Sequence, residues 1–278
     1  TVQIIKSVDP TRFDLFKGAT VLGIIGFIAW GLGYFGQPHI IVRFMAIKTH
    51  KELKLAKYIN IIWMGLGLLG AMAIGLIALA YFTQHGVKFN SSEAETVMIR
   101  FADLFFNPYI TGFILAAILA AIMSTISSQL LVSSSAVTND FYKTFFRRDA
   151  TEKELVLIGR LAVLAVAIVA VLLSISPSNT ILNIVGQAWA GFGSAFGSVI
   201  LLSLHWKRMT KWGALAGMIV GGLTVIVWIT TGLSNFIYEM VPGFLLSLAA
   251  IYIVSKLTAE PADSIKAQFD EMENQLAE

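Results

Sequence analysis

The sequence predicts an all-α integral membrane protein with about seven transmembrane helices, the first of which is broken. Hydrophobic residues make up 56% of the 278 residues and charged residues only 13%, whereas soluble domains are about one quarter charged. Apolar runs of about 20 residues, long enough to cross a bilayer, recur along the chain. Three glycines and one proline interrupt the first run between Gly31 and Pro38, which predicts the break.

Seven candidate spans follow from a search for these runs. They lie at about residues 19–45, 58–82, 107–134, 155–176, 180–204, 212–232 and 236–257. We therefore expect an external loop over 1–18, a transmembrane domain over 19–257 and a cytoplasmic tail over 258–278. The tail carries apolar residues at helical spacing, which predicts an amphipathic helix with no catalytic content.

The distribution of basic residues predicts the orientation in the inner (plasma) membrane. Cytoplasmic loops of membrane proteins are enriched in Lys and Arg. The first, third and fifth connections carry these residues: Arg43, Lys48, Lys51, Lys54 and Lys57; Lys143, Arg147, Arg148 and Lys153; Lys207, Arg208 and Lys211. The N-terminal end is therefore expected outside and the C-terminus in the cytoplasm. Since the chain begins TVQIIKSVDP without an initiator Met, we interpret it as a fragment.

Composition and motifs exclude several function classes. The net charge of +3 is explained by the loops, so we predict no nucleic-acid partner. The absence of Cys excludes disulfides and thiolate metal sites. The sequence lacks the H-E-x-x-H, G-x-S-x-G and P-loop motifs, so we do not expect an enzyme. No Asp or Glu lies in mid-span, which favours sodium coupling over proton coupling.

The interrupted first span is the candidate solute site. Lipid cannot hydrogen-bond the backbone groups that a break frees, and interrupted helices mark the substrate sites of transporters. Trp30 and Tyr34 lie at i and i+4 beside the break, so they would present two aromatic faces and a phenol. The alternative is that the glycines let helices approach and the aromatic residues mark a membrane interface.

A serine-rich helix over 115–136 is the candidate cation site. Ala121, Ser124 and Thr125 lie at i, i+3 and i+4, so a carbonyl and two hydroxyls share one helix face. Neutral oxygens of this kind suit a hard cation such as sodium. The alternative is that Thr125 returns its hydroxyl to the Ala121 carbonyl, as Thr commonly does in membrane helices.

Short motifs predict further local structure. Ser92 and Glu95 form a capping box that predicts a surface helix through Phe106, and Thr151 with Glu154 form a second. Small residues predict close helix packing at three places. These are Gly65, Gly67, Gly70 and Gly75 in the second span, Gly193 and Gly197 in the fifth, and Gly217 and Gly221 in the sixth.

Four segments resemble the C-terminal part of the sodium/solute symporter family, most closely its bacterial members that carry proline. They lie at Trp30 to Ala46, Leu104 to Lys143, Trp189 to Gly197 and Gly213 to Trp228. The resemblance implies the second half of a leucine-transporter-like inverted-repeat fold, followed by two further helices. The missing N-terminal half of the same transporter would hold the first repeat.

The resemblance also implies roles for particular residues. Sodium would be held by the Ala121 carbonyl and the hydroxyls of Ser124 and Thr125, with further ligands from the first core helix. Trp30, Tyr34 and Pro38 would border the proline site, with Gly112 nearby. The chain departs from the family at three positions: Ser128 and Ser133, where relatives carry Cys, and Ser198, where relatives carry Pro and the local bend could differ.

The sequence therefore predicts sodium-coupled symport of L-proline into the cell by alternating access, with sodium as the co-transported ion and the lipid bilayer as surroundings. One alternative is a sodium symporter of another small solute such as pantothenate, which would differ only in pocket residues. A second is a transporter-like sensor, which would need a signalling domain after the last span. A channel is disfavoured because no repeated filter or charged ring is present.

Overall fold

The computed structural model describes residues 1–14, 16–49, 51–87, 91–175 and 180–277, and within these ranges it contains helices and no strands. Two compact units are present. One comprises Thr1–Pro10 and Ile62–Thr180, and the other Thr11–Ile61 and Ile181–Glu278. Each unit is described by itself below.

The helices of the first unit are α1 (Val2–Val8), the greater part of α4 (Glu52–Gln84), α5 (Ser91–Ala94), α6 (Val97–Phe105), α7 (Pro108–Ser135) and α8 (Glu152–Ser174). A π-helical segment, Ala136–Phe146, continues α7 without a break. The second unit contains α2 (Val21–Ala29), α3 (Pro38–Met45), α9 (Ile181–Phe192), α10 (Ser198–His205), α11 (Lys211–Thr230), α12 (Met240–Leu257) and α13 (Asp263–Ala277). Between α2 and α3 lies a 3-10 segment, Trp30–Gly36, and between α9 and α10 a π segment, Gly193–Gly197.

The predicted membrane spans are confirmed by these helices. Among the described residues, six helices are long and apolar enough to cross a membrane, and the pair Val21–Gly36 and Pro38–Met45, bent by 58°, makes a seventh. The bent pair is the span predicted over 19–45. Side chains such as Trp63, which is 79% exposed, are consistent with a lipid-facing surface. The chain is a multi-pass membrane protein.

Side-chain caps begin both α7 and α8, and the capping box predicted for α8 is only partly confirmed. Asn107 caps α7, because its side-chain oxygen accepts the N–H groups of Tyr109 and Ile110 at 3.1 and 3.0 Å. Thr151 caps α8 in the same way, but Glu154 accepts from Tyr142 Oη and Arg147 Nη1 rather than completing the capping box.

The single surface helix predicted from Ser92 to Phe106 is wrong, because α5 and α6 are separate helices. The physical reason is a turn at Thr96, whose backbone N–H and hydroxyl both donate to the Glu93 carbonyl, at 3.0 and 2.8 Å. The side chain of Ser92 lies outside the described residues. The first 18 residues, predicted as a loop, contain α1 and a short 3-10 turn at Pro10–Phe13.

Small residues set the packing of the second unit. A Cβ on Gly217 would overlap the Ile251 side chain, and one on Gly221 would overlap the Ser194 carbonyl. The buried hydroxyls of Ser198 and Ser247 lie 2.5 Å apart, and Ser247 donates to the Gly217 carbonyl at 2.8 Å. The predicted packing faces of the fifth and sixth spans are therefore confirmed.

The glycine face of the second span behaves differently. Within the part of the chain that the structure describes, nothing lies within 4 Å of a Cβ built on any of its four glycines, Gly65, Gly67, Gly70 and Gly75. The prediction of close packing there is wrong for the contacts within this chain. Glycine content alone does not distinguish a packed face from an open one, because close approach also needs a facing helix.

The tail forms the predicted amphipathic helix, α13, which lies against the α10–α11 connection. Lys207 Nζ lies 2.5 Å from Asp270 Oδ1, and Lys266 Nζ lies 2.8 Å from Glu260 Oε2. The hydrogen bond from Lys266, together with its charge and that of Arg208, lowers the pKa of the Glu260 carboxyl. The exposed Lys207–Asp270 ion pair therefore links α13 to the α10–α11 connection, at a stabilisation of at most about 1 kcal/mol.

Gly217→Ala should destabilise the protein, since the new methyl group would overlap buried Ile251 and lie 3.1 Å from Ser247 Oγ. Overpacking of this kind costs about 1–3 kcal/mol. The measurement is the apparent melting temperature of the full-length protein in detergent, which should fall by several degrees. Gly222→Ala on the same helix is the matched control, because its Cβ would lie 4.0 Å from Ala195 Cβ. Equal melting temperatures for the two variants would contradict this account of the α11–α12 contact.

Candidate functional site

The break in the first span has a local cause in its sequence. Helix α2 ends at Ala29, and the chain tightens into the 3-10 segment of WGLGYFG before α3 begins at Pro38. Gln37 takes the extended conformation, with φ −89° and ψ 108°, as expected for a residue that precedes proline. The helix axis consequently turns by 58° in mid-span.

Two glycines of the 3-10 segment let it approach its neighbours closely. A Cβ on Gly33 would overlap the indole of Trp189, and one on Gly36 would overlap the Phe192 carbonyl. Gly193, on the facing π segment, is equally close: a Cβ there would lie 2.8 Å from Gly33 Cα. A larger residue at any of these positions would overlap its neighbours. Glycine therefore allows the broken helix to pack directly against α9 and the π segment.

Four aromatic residues gather at the break. The rings of Trp189 and Tyr238 stack on Trp30 with centroids 5.9 and 5.8 Å away, and Trp189 meets Tyr34 edge-on at 4.8 Å. Trp189 Nε1 donates to the Trp30 carbonyl at 2.9 Å, and Tyr238 Oη donates to the Gly186 carbonyl at 2.8 Å. The cluster satisfies backbone carbonyls inside the protein, as a membrane span requires.

The structure therefore brings Trp30 and Tyr34 together at the predicted break, with Pro38 at the first position of α3. Sequence reasoning treated Trp189 only as part of a family segment and did not mention Tyr238. Their contacts with Trp30 join residues 159 and 208 positions apart, so no local periodicity could reveal them. Gly112 lies in the first unit, on α7, where nothing is within 4 Å of a built Cβ.

The candidate cation ligands lie on consecutive turns of α7, with exposed side chains. Thr125 Oγ1 donates to the Ala121 carbonyl at 3.3 Å, and Ser128 Oγ donates to the Ser124 carbonyl at 2.9 Å. The back-bond expected under the alternative interpretation is thus present. It does not exclude cation binding, because a carbonyl and a hydroxyl oxygen each retain a lone pair.

The donor set on α7 suits a hard monovalent cation. Hydroxyl and carbonyl oxygens are neutral, so they would bind sodium without adding a buried formal charge. Within the described ranges no group of three or more His, Cys, Asp or Glu residues could hold a metal ion. Ser124 Oγ makes no hydrogen bond to any residue that the structure describes, so its hydroxyl is available for a ligand.

Comparison with known proteins identifies the family. The model of the sodium:solute symporter family matches residues 1–221. The chain belongs to this family. This chain is 57% identical over 278 residues to the high-affinity proline transporter PutP of Bacillus subtilis, covering 100% of this chain and 58% of that protein.

Other relatives carry similar names. The osmoregulated proline transporter OpuE of Bacillus subtilis is 58% identical over 278 residues, and sodium/proline symporter 2 of Staphylococcus saprophyticus is 50% identical over 288 residues. The matches cover 99% and 100% of this chain and 56% of each relative. The chain spans about half the length of the curated relatives it matches. No solved structure shows significant similarity.

Gly33→Ala should disturb the aromatic cluster, because the methyl group would overlap the Trp189 indole. We expect a loss of about 1–3 kcal/mol, measured as a lower melting temperature together with a shift in tryptophan fluorescence. Gly31→Ala, two residues away, is the control, since nothing lies within 4 Å of its built Cβ. A Gly31→Ala variant as unstable as Gly33→Ala would show that helix propensity, and not the indole contact, governs this segment.

Proposed function

We propose that this chain is the C-terminal part of a sodium-coupled symporter that carries L-proline into the cell by alternating access. The observation that carries the proposal is identity of 57% and 58% over nearly the whole chain to proteins named as proline transporters. The broken, aromatic-lined span supports it, because transporter substrate sites lie at such breaks. Sodium is proposed as the coupled ion because it appears in the name of the family and in that of the Staphylococcus saprophyticus relative.

Proline is proposed to bind beside the break, bordered by Trp30, Tyr34 and Pro38. The pyrrolidine ring is apolar and suits the aromatic surface of Trp30 and Tyr34. Its secondary ammonium group would be favoured by the electron-rich faces of the same rings. The Tyr34 hydroxyl supports this role, since it makes no hydrogen bond to the residues that the structure describes.

Sodium is proposed to bind the Ala121 carbonyl and the hydroxyls of Ser124 and Thr125. Three oxygens are too few for a hard cation, which prefers about six. The remaining ligands are expected from the first repeat of the inverted-repeat fold. Coupling requires that sodium bind one conformation more tightly than the other, because an ion that binds both equally shifts no equilibrium.

The membrane orientation belongs to the same proposal. Basic residues concentrate in the first, third and fifth connections, which supports a cytoplasmic location for those loops. The N-terminal end of the chain would then lie outside the inner membrane and α13 in the cytoplasm. Sodium would move inward down its own gradient, and this movement would drive proline into the cell.

Uptake of labelled proline into proteoliposomes that hold the full-length protein tests the function. We expect uptake with an inward sodium gradient and at least a tenfold lower rate when choline replaces sodium. Excess unlabelled proline should compete, whereas unlabelled pantothenate should not. Uptake indifferent to sodium would overturn the coupling, and competition by pantothenate would move the assignment to the alternative solute.

Thr125→Ala should raise the sodium concentration that gives half-maximal uptake by about tenfold to a hundredfold, the cost of losing one oxygen contact to a charge. Thr125→Ser should retain most of the wild-type sodium dependence because it keeps the hydroxyl. Ser133→Ala is the matched control, since it removes a hydroxyl from the same helix about 12 Å further along its axis. An unchanged sodium dependence in Thr125→Ala would remove Thr125 from the proposed site.

A further inference from the structure

We propose that Trp189 is a positioning residue of the solute site, holding the broken helix in the geometry that binds the solute. This inference rests on the proposed function, because it assigns a role at the same site. Trp189 lies on α9, far from the break in sequence, and sequence reasoning gave it no function. Its contacts reach both ends of the 3-10 segment.

The first end is held by the indole. Trp189 Nε1 donates to the carbonyl of Trp30, the first residue of the 3-10 segment, at 2.9 Å. An indole N–H is a donor only, so this bond fixes the ring relative to the backbone. Gly33 leaves the space that the ring needs, since a Cβ there would overlap it. Any displacement of the indole would therefore move the backbone between Trp30 and Gly33.

The second end is held by the main chain of Trp189. The side-chain amide of Gln37, which directly precedes Pro38, lies 3.5 Å from the Trp189 carbonyl. Gln37 is 5% exposed, and a buried amide without a partner would be costly. One residue of α9 thus contacts the residues that begin and follow the seven-residue 3-10 segment.

The same indole orients a predicted solute contact. Its ring meets Tyr34 nearly perpendicularly, with centroids 4.8 Å apart and an interplanar angle of 84°. Edge-to-face packing restricts the Tyr34 ring and leaves its hydroxyl without a protein partner among the described residues. Trp189 therefore sets where the Tyr34 phenol lies and acts on the solute through Tyr34 and the Trp30 backbone.

The test is Trp189→Phe in the full-length protein, compared with Trp228→Phe. Trp228 Nε1 also donates to a backbone carbonyl, that of Ile237, at 3.1 Å, so both variants lose the same kind of bond in the same unit. We expect Trp189→Phe to raise the KM for proline about threefold to tenfold, the effect of one hydrogen bond, with kcat little changed. Trp228→Phe should leave the KM unchanged.

A second readout does not depend on the solute. Backbone hydrogen exchange over residues 30–37 should be faster in Trp189→Phe than in Trp228→Phe. An unchanged KM in Trp189→Phe, with a melting temperature lowered as in Trp228→Phe, would overturn the positioning role. If the wild-type protein takes up no proline, the proposed function fails, and the exchange measurement then decides the inference alone: faster exchange supports it and equal exchange overturns it.

Discussion

Every backbone N–H and C=O inside a bilayer must be satisfied by the protein, and the broken span is where this constraint is hardest to meet. Helix α2 gives way to a 3-10 segment in mid-span, so its backbone needs support that an unbroken helix supplies for itself. That support comes from α9, through the indole of Trp189 and the close approach at Gly33 and Gly36. The glycines, the stacked aromatic rings and the bend therefore depend on one another: the glycines admit the indole, and the indole hydrogen-bonds the backbone at the bend.

Helix α7 meets the same constraint differently. It runs without interruption from Pro108 to Ser135, and the hydroxyls of Thr125 and Ser128 donate to carbonyls four residues earlier on the same helix. Such bonds satisfy the hydroxyl donor within its own helix but leave lone pairs of the hydroxyl and carbonyl oxygens free to accept. A binding site for a small cation can therefore be built on an intact helix, whereas a site for an amino acid needs the wider opening of a break.

The sequence was sufficient to predict features that depend on local composition. Span number, the break near Gly31 to Pro38 and the cap at Thr151 all follow from hydrophobic runs or from residues a few positions apart. The roles of Trp189 and Tyr238 could not be predicted, because their contacts with Trp30 cross more than 150 positions. The four glycines of α4 show the opposite kind of error, in which a local pattern predicts a contact that is not observed. They match the packing pattern of α11, but no helix faces them among the described residues of this chain.

Ser198 lies in the fifth span where the helix is locally unwound. Proline at this position would remove one backbone N–H and disrupt the helix at the residue four positions earlier. Here the π segment Gly193–Gly197 departs from regular α-helical bonding immediately before Ser198. The Ser198 hydroxyl lies 3.2 Å from the Ser194 carbonyl and 2.5 Å from Ser247 Oγ. The helix is therefore locally unwound before Ser198, and the Ser198 hydroxyl adds a buried contact to α12. Proline at this position would favour the unwinding but could not make that contact.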